Sequence, residues 1–130
     1  MYRYKRAVRV RDTDATGVLY FAEQLQIGLE AFEDFLDFQR FSIGEMIEKN
    51  DYLLPIRHVE GDFFAPVYVG DILEVSLRFS KIGITSFTHA SEFFKQGVKV
   101  GTVEITHVAY CPGRKKKIPI PDGVKNIFPT

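Results

Sequence analysis

Tryptophan is absent from this chain, and cysteine occurs once, as Cys111. An intrachain disulfide and a cysteine-based zinc site are therefore excluded. Net charge is lacking too, because Lys plus Arg and Asp plus Glu both number 17. A balanced chain offers no overall field for nucleic acid or an anionic membrane surface. No apolar run approaches the roughly 18 residues of a membrane span, so no integral membrane segment is expected. The N-terminal Met1-Tyr2-Arg3-Tyr4-Lys5-Arg6 leads into alternating residues and not into the apolar stretch of a signal peptide, and a cytoplasmic location is the expectation. The three histidines, His58, His89 and His107, show no paired metal-ligand spacing, so no metal site is expected.

The chain has 130 residues, 45% hydrophobic and 26% charged, which suits one globular domain over 1–130 with a sizeable core. The 12 Phe and 6 Tyr are material for that core or for a subunit interface. Tyr4 to Arg11 alternates basic and apolar residues and reads as a first strand. From about Phe21 to Phe38, Leu25, Leu29, Phe32 and Leu36 recur at helical spacing, widened by Ala31, Phe35 and Phe38. Such a helix needs burial over most of its circumference. Ser42-Ile43-Gly44-Glu45 has capping-box spacing and predicts a short helix through about Lys49.

Extended segments follow. Pro55 to Val67 is interrupted by Pro66, and Gly70-Asp71 marks a turn. Leu73, Val75, Leu77 and Phe79 alternate strictly with polar residues. Ile84–Phe94 and Val98–Tyr110 read as two long strands joined at Lys95-Gln96-Gly97, with a slip near Gly101 that predicts a bulge or bend. The tail carries four prolines and should trail from the last strand. The order is strand, long helix, short helix and four extended runs, an α+β plan in which an antiparallel sheet of about five strands wraps one long helix.

Asp12-Thr13-Asp14-Ala15-Thr16-Gly17 leads directly into that helix. It brings carboxylates, a Gly and the unpaired amides of a helix start into one loop, a combination that suits a developing oxyanion and a group that attacks or activates water. The same residues also suit plain helix capping by Asp14 or Thr16, and spacing alone does not separate the two.

Arg11-Asp12-Thr13-Asp14-Ala15-Thr16-Gly17-Val18-Leu19-Tyr20-Phe21 resembles the D-x-D-x-x-G signature of the 4-hydroxybenzoyl-CoA thioesterase branch of hotdog proteins. Asp62–Leu73 is similar to the second block of that family, with its Pro and Gly-Asp, and Gly113–Pro121 to its "G-R-K" ending. The resemblance implies a hotdog fold and hydrolysis of an acyl-CoA, without metal or redox cofactor. It implies that Asp14 is the catalytic carboxylate, as nucleophile or as base, and that the Phe21 amide polarises the thioester carbonyl. Ala15-Thr16 departs from the more usual Pro-Ala or Gly-Gly, which bears on loop geometry. The likeness leans toward the subgroup acting on aromatic thioesters such as 1,4-dihydroxy-2-naphthoyl-CoA, with short-chain enzymes of the Tol–Pal cluster as the neighbouring subgroup. A homodimer or dimer of dimers is implied, with the site between subunits.

Other residues join the candidate site. Gly17, Tyr20, Phe21 and His58 are candidates for the oxyanion and acyl site, Tyr20 and Phe21 having packing as the plainer reading. Arg114, Lys115 and Lys116 are candidates for the phosphates of CoA, against a solvated basic edge. Asp12 is expected to orient the loop, with a like-charge influence on Asp14 as the alternative. His89 and His107 are read as structural. A hotdog dehydratase would need a histidine paired with the acid, and none accompanies Asp14 in its loop. An acyl-carrier substrate and a non-catalytic acyl-CoA sensing module are the other rivals.

Overall fold

A computed structural model describes residues 1–129. Its elements are β1 (Tyr2–Ala7), a 3-10 turn at Val10–Asp12, α1 (Phe21–Phe38), α2 (Ile43–Lys49), β2 (Ile56–Phe63), β3 (Ile72–Ile82), β4 (Ser86–Lys95), β5 (Val98–Val108), β6 (Tyr110–Cys111), β7 (Lys116–Lys117) and α3 (Asp122–Lys125). Five strands form one antiparallel sheet in the order β1-β3-β4-β5-β2, with α1 packed on one face, as the α+β hotdog plan requires. No helix among the described residues is long and apolar enough to cross a membrane.

The alternation in the sequence sets the faces. Leu73, Val75 and Leu77 of β3, Phe87, His89, Ser91 and Phe93 of β4 and Val103, Ile105 and His107 of β5 are all buried. Ile27, Ala31, Phe32, Phe35 and Leu36 of α1 fill the space opposite. Full burial of each large apolar side chain stabilises by about 1.5–3 kcal/mol, which is why α1 holds its place without a strong capping residue. The slip at Gly101 is a bulge, with the β4–β5 register shifting between Phe93 and Phe94.

Two expectations need correction. The first strand ends at Ala7, because the chain turns in a 3-10 helix at Val10–Asp12 to place Asp12 inward. The tail does more than trail. Tyr110–Cys111 pairs with Lys116–Lys117 as a small hairpin, and Ile120, Val124 and Ile127 plug the end of the core beside Phe32 and Phe35. Prolines kept this segment from reading as an element, yet its apolar spacing closes the barrel-like end of the sheet.

His89 and His107 lie in that part of the core, with Nε2 atoms 3.0 Å apart. His107 Nδ1 sits 3.0 Å from the Leu54 carbonyl, which can only accept, so Nδ1 carries the proton and Nε2 accepts from His89. Phe32 stacks on His89 with centroids 4.3 Å apart. Burial, with His107 alongside, pushes His89 down to about 3, and burial also lowers His107. Folded rings stay neutral where the unfolded chain binds protons, so this contribution is full above about pH 6.5 and is lost as pH falls toward 3. Urea unfolding of wild type is therefore expected to weaken between pH 7 and 5 by about 2 kcal/mol more than that of His89→Leu, from 1.36 kcal/mol per pKa unit. Equal pH slopes in the two proteins would show that this pair does not set the acid sensitivity.

Candidate active site

The loop between the 3-10 turn and α1 is tied down at both ends. Asp12 is 2% exposed; its carboxylate accepts from Arg6 Nη2 at 2.9 Å and from the Arg9 amide at 2.8 Å. Arg6 reaches Glu30 of α1 as well, through Nε at 2.9 Å. The Asp12 carbonyl takes the Tyr20 amide at 2.9 Å, which brings the chain back to the start of α1. Removing one partner from so buried an ion pair typically costs about 3–5 kcal/mol, so Asp12 is a structural anchor for the loop. It is not among the groups that shift Asp14, so the like-charge alternative gains no support.

Within the loop, the Asp14 amide donates to the Val18 carbonyl at 2.9 Å, and Gly17 turns the chain at φ +81°, a conformation that strains residues with a Cβ. Asp14 Oδ1 accepts from the Thr16 hydroxyl at 2.6 Å, the Thr16 amide at 2.8 Å and the Val18 amide at 3.4 Å. These bonds, the Thr16 hydroxyl first, hold the carboxyl below its usual value. Among the described residues Oδ2 has no such partner and the side chain is exposed, so an ionised carboxylate faces outward with one oxygen committed and the other open to solvent.

Neither Asp14 nor Thr16 caps α1. Tyr20 occupies the cap position, and no side-chain bond is made there. The Glu23 and Gln24 amides donate to the Tyr20 carbonyl, which leaves the Phe21 and Ala22 amides, among the described residues, with the unpaired donors and partial positive charge of a helix start. The second block of the resemblance docks on this loop: the Leu19 amide donates to Val67 and the Val69 amide to Gly17, at 2.7 and 3.0 Å. Asp71 secures that segment by accepting from the Tyr68 amide and pairing with Lys95 at 2.7 Å.

Where the two blocks meet lies a cleft of about 340 Å³ lined by Val18, Leu19, Phe21, Gln24 and the Phe63–Val67 segment. Phe21 meets Phe63 edge-on with centroids 6.4 Å apart, and both rings are exposed by half or more. An exposed carboxylate in the loop that leads into α1, two free helix-start amides and an aromatic cleft at that helix start are the parts of an acyl-transfer site.

The sequence profile of the Thioesterase-like superfamily matches residues 8–128. The chain belongs to that superfamily. It is 35% identical over 123 residues to the 1,4-dihydroxy-2-naphthoyl-CoA hydrolase of Nostoc punctiforme, covering 95% of this chain and 83% of the relative. The crystal structure of a 1,4-dihydroxy-2-naphthoyl-CoA thioesterase from Synechocystis superposes with a TM-score of 0.92 at 31% identity, covering 97% of this chain and 93% of the other. The BH1999 gentisyl-coenzyme A thioesterase superposes at 0.85 and 26% identity, over 95% of this chain and 99% of the other. The protein is a thioester hydrolase of the hotdog fold.

Within this thioesterase protomer Asp14 and Gly17 share the turn ahead of α1, and Phe21 opens α1 and lines the cleft, with Tyr20 packed on Phe21 at 4.7 Å between centroids. His58 stands apart. It lies opposite Thr106, whose hydroxyl meets Thr88 on the face of the sheet turned away from α1. The odd-numbered neighbours Val59, Gly61 and Phe63 take the α1 face, so His58 does not line the cleft as expected, and it pairs loosely with exposed Glu60. Arg114, Lys115 and Lys116 are also remote, on the β6–β7 hairpin beyond the far end of β5. Gln24 was missed: as one buried polar residue on a helix face it gave no distinctive signal.

The Thr16 bond yields a direct test. Thr16→Val keeps the amide and removes the hydroxyl, so the carboxyl-carbon NMR titration of Asp14 is expected to move up toward the ordinary aspartate value. An unmoved midpoint would mean that the backbone amides alone hold the carboxylate.

Proposed function

We propose that this thioesterase hydrolyses aromatic acyl-CoA thioesters to the free acid and CoA, with Asp14 as the catalytic carboxylate. The observation that carries the reading is the pairing of a half-committed carboxylate with an uncapped helix start beside a cleft walled by Phe21 and Phe63. The naphthoyl-CoA and gentisyl-CoA names of relatives supply the aromatic acyl class. In this scheme the thioester oxygen accepts from the Phe21 amide, whose donor is fixed before charge develops. Asp14 Oδ2 either adds to the carbonyl carbon, giving a mixed anhydride that water then opens, or takes a proton from the attacking water. Either way the C–S bond breaks, CoA leaves as thiolate and gains a proton, and water supplies the acid oxygen. The scheme calls on no metal or redox cofactor, CoA being part of the substrate.

The assembly proposed is at least a homodimer joined through β2. That strand closes one edge of the sheet, and Ile56, Val59 and Phe63 on it are 43%, 38% and 50% exposed. An unpaired apolar edge is a pairing surface. The Phe63–Gly101 rung lies by the cleft and the Ile56–His107 rung lies toward the basic hairpin. Seven residues separate them along β2, about 23 Å at 3.3 Å per residue, so the cleft and the hairpin of one protomer lie toward opposite ends of its edge strand. Antiparallel pairing of two β2 edges sets the cleft end of one beside the hairpin end of the other. In this arrangement Arg114, Lys115 and Lys116 of the partner subunit meet the CoA phosphates.

CoA release from naphthoyl-, benzoyl-, short-chain and long-chain acyl-CoA should be strongest for the aromatic members and fall by about 10²-fold or more in Asp14→Asn. Full activity in that variant would remove Asp14 from the chemistry. Sedimentation should give wild type the mass of a dimer or a multiple of it, and Val59→Lys that of a monomer with CoA release lost. A monomeric, active wild type would sink the shared-edge arrangement.

A further inference from the structure

Among the side chains lining the cleft, Gln24 is the polar one, and it is 3% exposed. Its Nε2 donates to the carbonyls of Asp62 at 3.0 Å and Thr102 at 3.3 Å. Carbonyls only accept, so these bonds fix which end of the amide is nitrogen and commit both of its protons. The group left over is Oε1, an acceptor without a donor among the described residues.

Its direction follows from the ladder. The amide lies across Gly101, where an added Cβ would meet Nε2 at 2.6 Å and Oε1 at 2.7 Å. Asp62 and Thr102 form one rung of the β2–β5 ladder, and Phe63 and Gly101 form the next. Beyond them the Phe64 amide donates to Val100. An amide centred on Gly101 with its nitrogen turned to the Asp62–Thr102 rung turns its oxygen toward Phe63 and Phe64, the aromatic wall of the cleft. Glycine at 101 is what leaves room for it.

We propose that Gln24 Oε1 reads a hydroxyl donor on the acyl group, making Gln24 a specificity-determining residue that favours hydroxylated aromatic thioesters over their plain counterparts. This assignment rests on the thioesterase reading above. A substrate hydroxyl pairs the acceptor when water is expelled, whereas a bare ring leaves it buried and unpaired, and sites built to bond a hydroxyl reject the analogue that lacks it. A ketone or carboxylate at the same ring position offers no donor and gains nothing.

The test compares kcat/KM for hydroxynaphthoyl-CoA and naphthoyl-CoA, identical but for one hydroxyl, with the hydroxyl also moved around the ring. Wild type is expected to favour one hydroxylated isomer by roughly tenfold or more over the plain ring, and Gln24→Met, of similar length without the amide oxygen, to bring that ratio toward one. A wild type that treats all isomers and the plain ring alike overturns the assignment, whether or not the variant folds. So does an unchanged ratio in a folded Gln24→Met. Turnover without preference defeats this inference alone; no CoA release from any member by wild type defeats the thioesterase reading and this inference with it.

Discussion

The close approach of the first two turns of α1 to strands β5 and β2 is the constraint on which the site depends. A Cβ at Gly28 would lie 2.7 Å from Val103 Cγ1, and one at Gly101 would collide with the Gln24 amide. Space at these two positions lets the helix settle onto the sheet, with Ile27 and Ala31 buried behind it. Once the helix is seated, its first amides have a fixed position and direction. Arg6 then joins three separate elements, bonding Asp12 ahead of the loop and Glu30 on the helix from its place on β1. The loop that carries Asp14 is thus held by the same packing that holds the core.

Much of the fold could be read from periodicity. Phe21–Phe38 emerged at its observed bounds, because an apolar stripe wide enough to need burial has few alternatives. The alternation of Leu73 to Phe79 and the slip at Gly101 carried over as well. Where the reading fell short, the cause was local. Arg9–Arg11 alternates like a strand, but buried Asp12 needs Arg6 and the Arg9 amide, and the turn this demands ends the strand early. The tail hid three core residues behind prolines. His58 was a candidate from its place ahead of the Pro66 block, and in the ladder it alternates with Val59, Gly61 and Phe63, which take the α1 side.

The candidate site was partly legible for a different reason. Asp14, Gly17 and Phe21 are neighbours in sequence, and a local motif can be recognised without knowing the tertiary structure. That the Asp62–Asp71 block packs on this loop follows from pairing between Val18 and Tyr68, which no local pattern discloses. Gln24 belongs with these hidden features, since its role is defined by the carbonyls of Asp62 and Thr102, 38 and 78 residues away.

The exposure of Asp14 places a further demand on the proposed chemistry. Its ionisation is secured by its own loop, through Thr16 and Val18, and not by burial against a cation. Such a carboxylate is available at neutral pH, but in open water its field and that of the helix start are strongly screened. Electrostatic stabilisation of an oxyanion is large only where water is excluded. One wall of the cleft is built from Phe63, Phe64 and Pro66, at and beyond the end of the edge strand β2, with Val59 exposed on its α1-facing side. On the proposed reading, pairing of that edge does two things together: it satisfies the open backbone of β2 and roofs the carboxylate. The apolar residues that make β2 a poor solvent-exposed edge are then the ones that make the site dry enough to work.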